Sequence, residues 1–139
     1  MNRPILFRGK SISTGEWIQG DGIHYPKSIN YLGTCWIDGM ENRANDWIQV
    51  DPATVGQFTG LVDKNGVKIF EGDIVKMVPD DNEEESWITE VKFEDGAFRV
   101  EVNGCDYAYT AIGWIDDEVE TEVIGNIHAN PELLEEKSE

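Results

Sequence analysis

The stretch Thr54–Lys76, TVGQFTGLVDKNGVKIFEGDIVK, limits what this chain can fold into more than any other. Gly56 and Gly60 bracket Gln57-Phe58-Thr59, a spacing that suits positive φ or close backbone approach with Phe58 turned inward. After Leu61-Val62, Asp63-Lys64-Asn65-Gly66 places Asn-Gly between apolar runs, the signature of a hairpin with a type I′ turn. Glu71-Gly72-Asp73 then stands before the apolar run Ile74–Val78, which predicts a tight corner feeding a buried strand. Nearly every position has a backbone or packing role, and none has an evident chemical one.

The flanking sequence extends the same pattern. Pro4–Lys10 reads as a short strand with proline at its start, Ser11–Gly15 as a turn and Glu16–Ile23 as the returning strand. Arg8 and Lys10 are expected to be solvated there. The period weakens between His24 and Asn45, where Tyr31, Cys35, Trp36 and Ile37 suggest one strand and Asp38–Asp46 has turn composition. Trp47–Val50 resumes as a strand and stops at Asp51-Pro52, which offers an N-cap and a first helical position.

Beyond the central block, Pro79–Ser86 (PDDNEEES) is a charge-dense loop. Alternation through Trp87, Thr89, Val91 and Phe93 turns at Glu94-Asp95-Gly96 and repeats in Phe98, Val100 and Val102, predicting a hairpin. Asn103–Thr110 reads as a turn, Ala111–Ile115 as a short strand and Thr121–Ile127 as a better one. Asn130-Pro131 then opens a short C-terminal helix whose apolar contacts are Leu133 and Leu134. The expected fold is mainly β, built from small antiparallel barrels rather than a parallel α/β sheet.

Charge narrows the partners. With 28 acidic against 11 basic residues, the formal charge is −17. That argues against nucleic acid as a direct ligand and against an anionic membrane surface, both of which need clustered Lys and Arg. A basic protein, a divalent cation or no partner remain compatible. Two cysteines without CxxC spacing fit a reducing interior, and the N-terminal MNRPILFRGK lacks the apolar run of a signal peptide or a spanning segment. A cytoplasmic protein is expected.

Candidate chemistry is sparse. His24 and His128 are isolated strand-side histidines, and Cys35 and Cys105 have no close-pair metal spacing, so buried thiols are the simpler reading. There is no Gly-x-Ser-x-Gly elbow and no glycine-rich loop opening a helix. Asp80, Asp81, Glu83, Glu84 and Glu85 lack the ligand alternation of a calcium loop, which favours a solvated, mobile segment. Asp63, Glu71 and Asp73 could converge on a ligand, although turn-capping explains each. The tryptophans at 17, 36, 47, 87 and 114 are assigned to core or interface rather than to a binding groove. No catalytic residue, metal site or cofactor is expected.

Taken together, FRGK (Phe7–Lys10), WIQG (Trp17–Gly20), Thr54–Val75, VIGNIH (Val123–His128) and NPELL (Asn130–Leu134) resemble the YopX family of small phage and prophage proteins. Phe58 and Phe70 stand where that family often carries tyrosine. The resemblance implies a β-rich domain over residues 1–139 with an SH3-like barrel component, in two lobes of about 1–53 and 54–139 sharing a core. It also implies homo-oligomers. It carries over no catalytic role: Gly56, Gln57, Thr59, Gly60, Asp63, Gly66, Glu71, Gly72 and Asp73 are motif positions expected to be structural.

Three functions follow as expectations. The first is a non-enzymatic accessory protein of a phage or prophage that works through protein–protein contacts, with itself and with a basic host or phage protein. The second is an acidic mimic of nucleic acid that blocks a host DNA-binding protein. The third is a small hydrolase built on Asp63, Glu71 or Asp73 with a histidine.

Overall fold

The computed structural model describes residues 4–25, 34–38, 47–101, 110–111 and 119–135. Its contacts divide the chain into two compact units, Met1–Phe58 and Thr59–Glu139. The strand β6 (Gly56–Val62) runs through the boundary, and each unit has its own apolar cluster.

In the first unit, β1 (Phe7–Lys10) and β2 (Trp17–Gly20) form a hairpin in the register Phe7↔Gly20 to Lys10↔Trp17. Its turn is closed by the Ser11 amide on the Glu16 carbonyl at 2.8 Å and the Gly15 amide on the Ser11 carbonyl at 2.9 Å. The returning strand expected to reach Ile23 breaks at Asp21. Gly22–His24 is a separate strand, β3, which joins β4 (Cys35–Asp38) and β5 (Ile48–Val50) in another sheet. Alternation directs Cys35, Ile37 and Val50 inward, all fully buried, with Phe7, Ile18, Ile23 and Val55 packed against them. Each full burial of such an aliphatic side chain is worth about 2 kcal/mol.

The first unit closes on a capped 3-10 turn, Pro52–Thr54. Asp51 accepts the Ala53 amide at 3.0 Å, so the proline sits where its missing N–H costs nothing. Thr54 returns its hydroxyl to the β1 backbone, accepting the Lys10 amide at 2.8 Å.

The second unit is organised on β8 (Asp73–Pro79), which pairs with β9 (Trp87–Glu90) on one side and β13 (Val119–Asn126) on the other. β8 is flanked by a strand on each side, and three of its apolar residues, Ile74, Val75 and Met77, are fully buried. Val75 and Met77 join Ile69, Val91 and Val100 in the core, with Trp87, Phe98, Val119 and Val123 against it. The far half of β6 pairs with β7 (Lys68–Phe70), while β10 (Lys92–Glu94), β11 (Ala97–Val100) and β12 (Thr110–Ala111) make a further antiparallel sheet. A four-residue helix, α1 (Glu132–Glu135), follows Asn130-Pro131.

The mainly β, antiparallel character expected from the sequence is what the strands show, and among the described residues no sheet's strand order returns on itself. Three local expectations change. The turn after Val62 is not type I′: only Gly66 has positive φ, at 80°, and Asn65 does not. It is a three-residue loop, Lys64-Asn65-Gly66, closed by the Asp63 amide on the Val67 carbonyl at 2.8 Å. The type I′ geometry appears instead at Asp95-Gly96, where both residues have positive φ between the paired Glu94 and Ala97.

The alternation from Trp87 also does not run through Phe93. Fully buried Val91 donates its amide to the Asp73 carbonyl at 2.9 Å and accepts from the Gly72 amide at 2.8 Å. The chain changes sheets at that residue, and Phe93 emerges 51% exposed, edge-on to Phe98 with centroids 5.1 Å apart. The third change lies in the acidic segment, expected as a loop, which contains a 3-10 turn as described below. The expectations for Tyr31, 39–46, 102–109, 112–118 and thus Cys105 and Trp114 lie outside the described residues.

Candidate functional site

The motif positions divide between the units. Gly56 and Gln57 lie in the first, paired with Arg8 and Phe7 of β1. The remainder, from Thr59 to Asp73, lie in the second. Thr59 is buried and its hydroxyl donates to the Ile69 carbonyl at 2.8 Å while accepting the Leu61 amide at 3.1 Å, which ties β6 to β7. Gly60, at φ 90°, re-aims the strand between them.

Asp63 is the most heavily engaged side chain of the block. One carboxylate oxygen accepts the amides of Asn65 and Val67 at 2.8 and 2.9 Å, and the other accepts the Val123 amide at 2.9 Å. Burial by itself would push this carboxyl up. The three amides and the nearby Lys64 charge outweigh that and hold it below the ordinary aspartate value. Lys64 in turn lies 3.8 Å from both Glu120 and Glu122 of β13.

At the second corner, Asp73 is 1% exposed and accepts the Phe70 amide at 2.7 Å. Gly72 has φ 91°, a region that a β-carbon disfavours, and its carbonyl accepts from Ile127 at 2.9 Å. The Nε2 of His128 comes to 3.8 Å from the point a Gly72 β-carbon would occupy, so the corner and this histidine are neighbours. Glu71 adds its charge to that of Glu94 around Glu90, whose carboxyl is raised, first by burial and then by these two carboxylates, against the lowering effect of Lys92.

The structure therefore uses Asp63 and Asp73 to satisfy backbone amides that turns leave unpaired. Among the described residues, no group of three or more His, Cys, Asp and Glu side chains is placed to hold a metal ion. His24 is exposed in the first unit, with its ring 5.6 Å from Trp47. Cys35 is a free, fully buried thiol, raised chiefly by burial, with a hydrogen bond to Tyr25 acting the other way.

The acidic segment is solvent-exposed, as expected, and contains a 3-10 turn. Asp80 and Asp81 both adopt positive φ, and the Asn82 amide bonds the Pro79 carbonyl at 2.7 Å. Asn82 then caps a 3-10 turn, Glu83–Glu85, accepting the Glu84 amide at 3.1 Å. Lys76 of β8 pairs with Glu83. A shallow depression beside this turn is lined by Pro79, Glu84, Glu85 and Trp87.

One surface escaped the sequence reading. In the β3-β4-β5 sheet the residues alternating with the core point to the other face: Gly22 and His24, Trp36 and Asp38, then Trp47 and Gln49. Trp47 is 41% exposed, so of the core and interface positions expected for it the core is excluded, and its ring meets Gly22 at 3.2 Å from the point where a β-carbon would stand. The signal was present in the alternation of Cys35-Trp36-Ile37-Asp38, which puts an aromatic and a carboxylate opposite two core residues.

Antiparallel sheets with a glycine-set, carboxylate-capped hairpin define a small mainly β protein whose most distinctive block builds backbone. The chain belongs to the YopX protein family, whose model matches residues 6–135. It is 47% identical over 72 residues to the SPbeta prophage-derived uncharacterized protein YopX of Bacillus subtilis strain 168. That match covers 50% of this chain and 52% of the relative, so it spans about half the relative's length.

Two crystal structures extend the likeness. That of protein yopX from Bacillus subtilis has a TM-score of 0.59 at 28% identity, covering 94% of this chain and 98% of that one. That of protein EF1440 from Enterococcus faecalis has a TM-score of 0.54 at 27% identity, covering 94% and 97%. No helix among the described residues is long and apolar enough to cross a membrane.

Proposed function

We propose that this chain is a non-enzymatic accessory protein of a phage or prophage, acting in the bacterial cytoplasm through protein–protein contacts as a homo-oligomer. The observation that carries this reading is the division of labour on the β6–β7 hairpin. The carboxylate at its turn, Asp63, and that of the corner after it, Asp73, are taken up by backbone amides, while Leu61, Val62 and Val67 are 37%, 57% and 47% exposed. Apolar side chains held outward on a hairpin suit a contact with another protein surface better than they suit chemistry.

Light scattering at micromolar concentration tests the assembly. A mass that is a multiple of 15.7 kDa is expected, and replacing Leu61, Val62 and Val67 together with serine lowers it. A monomer at that concentration would overturn the homo-oligomer.

A further inference from the structure

The outer face of the β3-β4-β5 sheet is the feature that neither the core nor the motif block explains. Strand alternation gives the sheet one apolar face, made of Ile23, Cys35, Ile37 and Val50, and leaves the other to solvent, where polar residues are usual. That other face instead carries Trp36, Trp47 and His24. Trp47 lies across it, 5.6 Å from the His24 ring and against Gly22, whose missing side chain leaves room for the indole. Asp38 stands in the same place: its Cβ and the Trp47 ring approach the same point above Gly22, at 3.5 and 3.2 Å. Asp21, exposed, precedes Gly22.

An exposed indole face beside a carboxylate is the chemistry that receives a cationic side chain: the ring quadrupole attracts the charge and the carboxylate completes an ion pair. Arginine fits better than lysine, because its planar guanidinium stacks on the ring while its edge reaches the carboxylate. The first unit contains one such guanidinium–indole contact internally, where the guanidinium of Arg8 sits 4.9 Å over the Trp17 ring. The formal charge of −17 supplies long-range attraction for a basic partner and none for an acidic one.

We propose that the Trp47–Asp38–His24 face binds an arginine side chain of a basic partner protein, stacked on Trp47 and paired with Asp38. This rests on the protein–protein reading above and names the partner's chemistry.

The test uses the full chain and a fluorescein-labelled Gly-Arg repeat peptide, followed by anisotropy at about 150 mM salt, where long-range attraction is largely screened. Its citrulline counterpart has the same shape without the charge. The expected result is binding of the arginine peptide, loss with citrulline, and a weakening of about fivefold or more for Trp47→Ala and for Asp38→Asn. Neutralising Asp80, Asp81, Glu84 and Glu85 to amides changes affinity by less than about twofold, separating the face from general charge attraction. Should Trp47→Ala not fold, Asp38→Asn and Trp47→Phe decide alone. Equal binding of both peptides, an unchanged affinity in Asp38→Asn, or no binding by the parent chain overturns the proposal. None of these touches the light-scattering result, so the homo-oligomer stands or falls separately.

Discussion

The carboxylate of Asp63 accepts the backbone amide of Val123 at 2.9 Å, joining the tip of one hairpin to a strand 60 residues further along the chain. The same side chain shapes its own turn through Asn65 and Val67, so one residue sets both a local conformation and a distant contact.

Replacing Asp63 with alanine leaves three amides without their acceptor in a buried place, and a loss of about 3 kcal/mol is expected in urea unfolding. Asparagine keeps one acceptor oxygen and costs less. The pH dependence has a definite sign. Because the folded carboxyl lies below its ordinary value of 3.8, its contribution is fully present above that value. It is lost as pH falls through 3.8 and then through the lower folded value. The alanine variant therefore shows a shallower decline of stability with acid than the parent chain.

Glu90 behaves in the opposite way. Its folded carboxyl is raised above 4.5 by burial and by Glu94 and Glu71, so the charged form is disfavoured in the native state. Its ionisation costs stability as pH rises through 4.5 and the raised folded value, and the cost persists at neutral pH. Glu90→Gln is expected to raise the melting temperature at pH 7, with the gain disappearing at about pH 4, below both values. An equal gain at both pH values would show that packing, not charge, is responsible.

Two glycines test two different constraints. A β-carbon on Gly9 would stand 2.8 Å from Val50 Cγ2 and 3.2 Å from Ile37 Cδ1, both in the first unit's core. Gly9→Ala is expected to cost about 2 kcal/mol through overpacking. Gly66 has open space around it but a φ of 80°, so Gly66→Ala costs about 1 kcal/mol through backbone strain alone. Chemical denaturation distinguishes the two, and D-alanine introduced by synthesis rescues Gly66 and not Gly9.

The Cys35 thiol is expected to be inert. It is fully buried and its ionisation is raised by that burial, so thiolate is scarce and reagent has no access. In a Cys105→Ser background, a disulfide reagent should label it on the order of a hundredfold faster after unfolding than before. Rapid labelling of the native protein would place the residue at a surface instead.

These residues also show what a sequence makes legible. Asp51-Pro52 announced a capped turn because capping is local chemistry, complete within three residues. The hairpin at Asp63–Gly66 was visible for the same reason, but its turn class was not, since Asp63 is claimed by Val123 as well. The exchange of sheets at Val91 was hidden because alternation continues through it in the sequence. What alters the chain's course there is a pair of backbone bonds to Gly72 and Asp73, to which no side-chain pattern points. The Trp36–Trp47 face was missed because the tryptophans were assigned to core or interface by type, whereas register decides which face each one takes.

The place of β13 in the second unit has a consequence for how the protein comes into being. β8 is flanked by β9 a few residues later and by β13, the last strand among the described residues. As the polypeptide leaves the ribosome, the strands of Met1–Phe58 are available to one another early. β8 must wait with one edge bare until β13 has been translated. The charged turn at Asp80–Glu85 is made directly after it, and like charge beside a waiting strand edge discourages nascent neighbours on the same message from joining it.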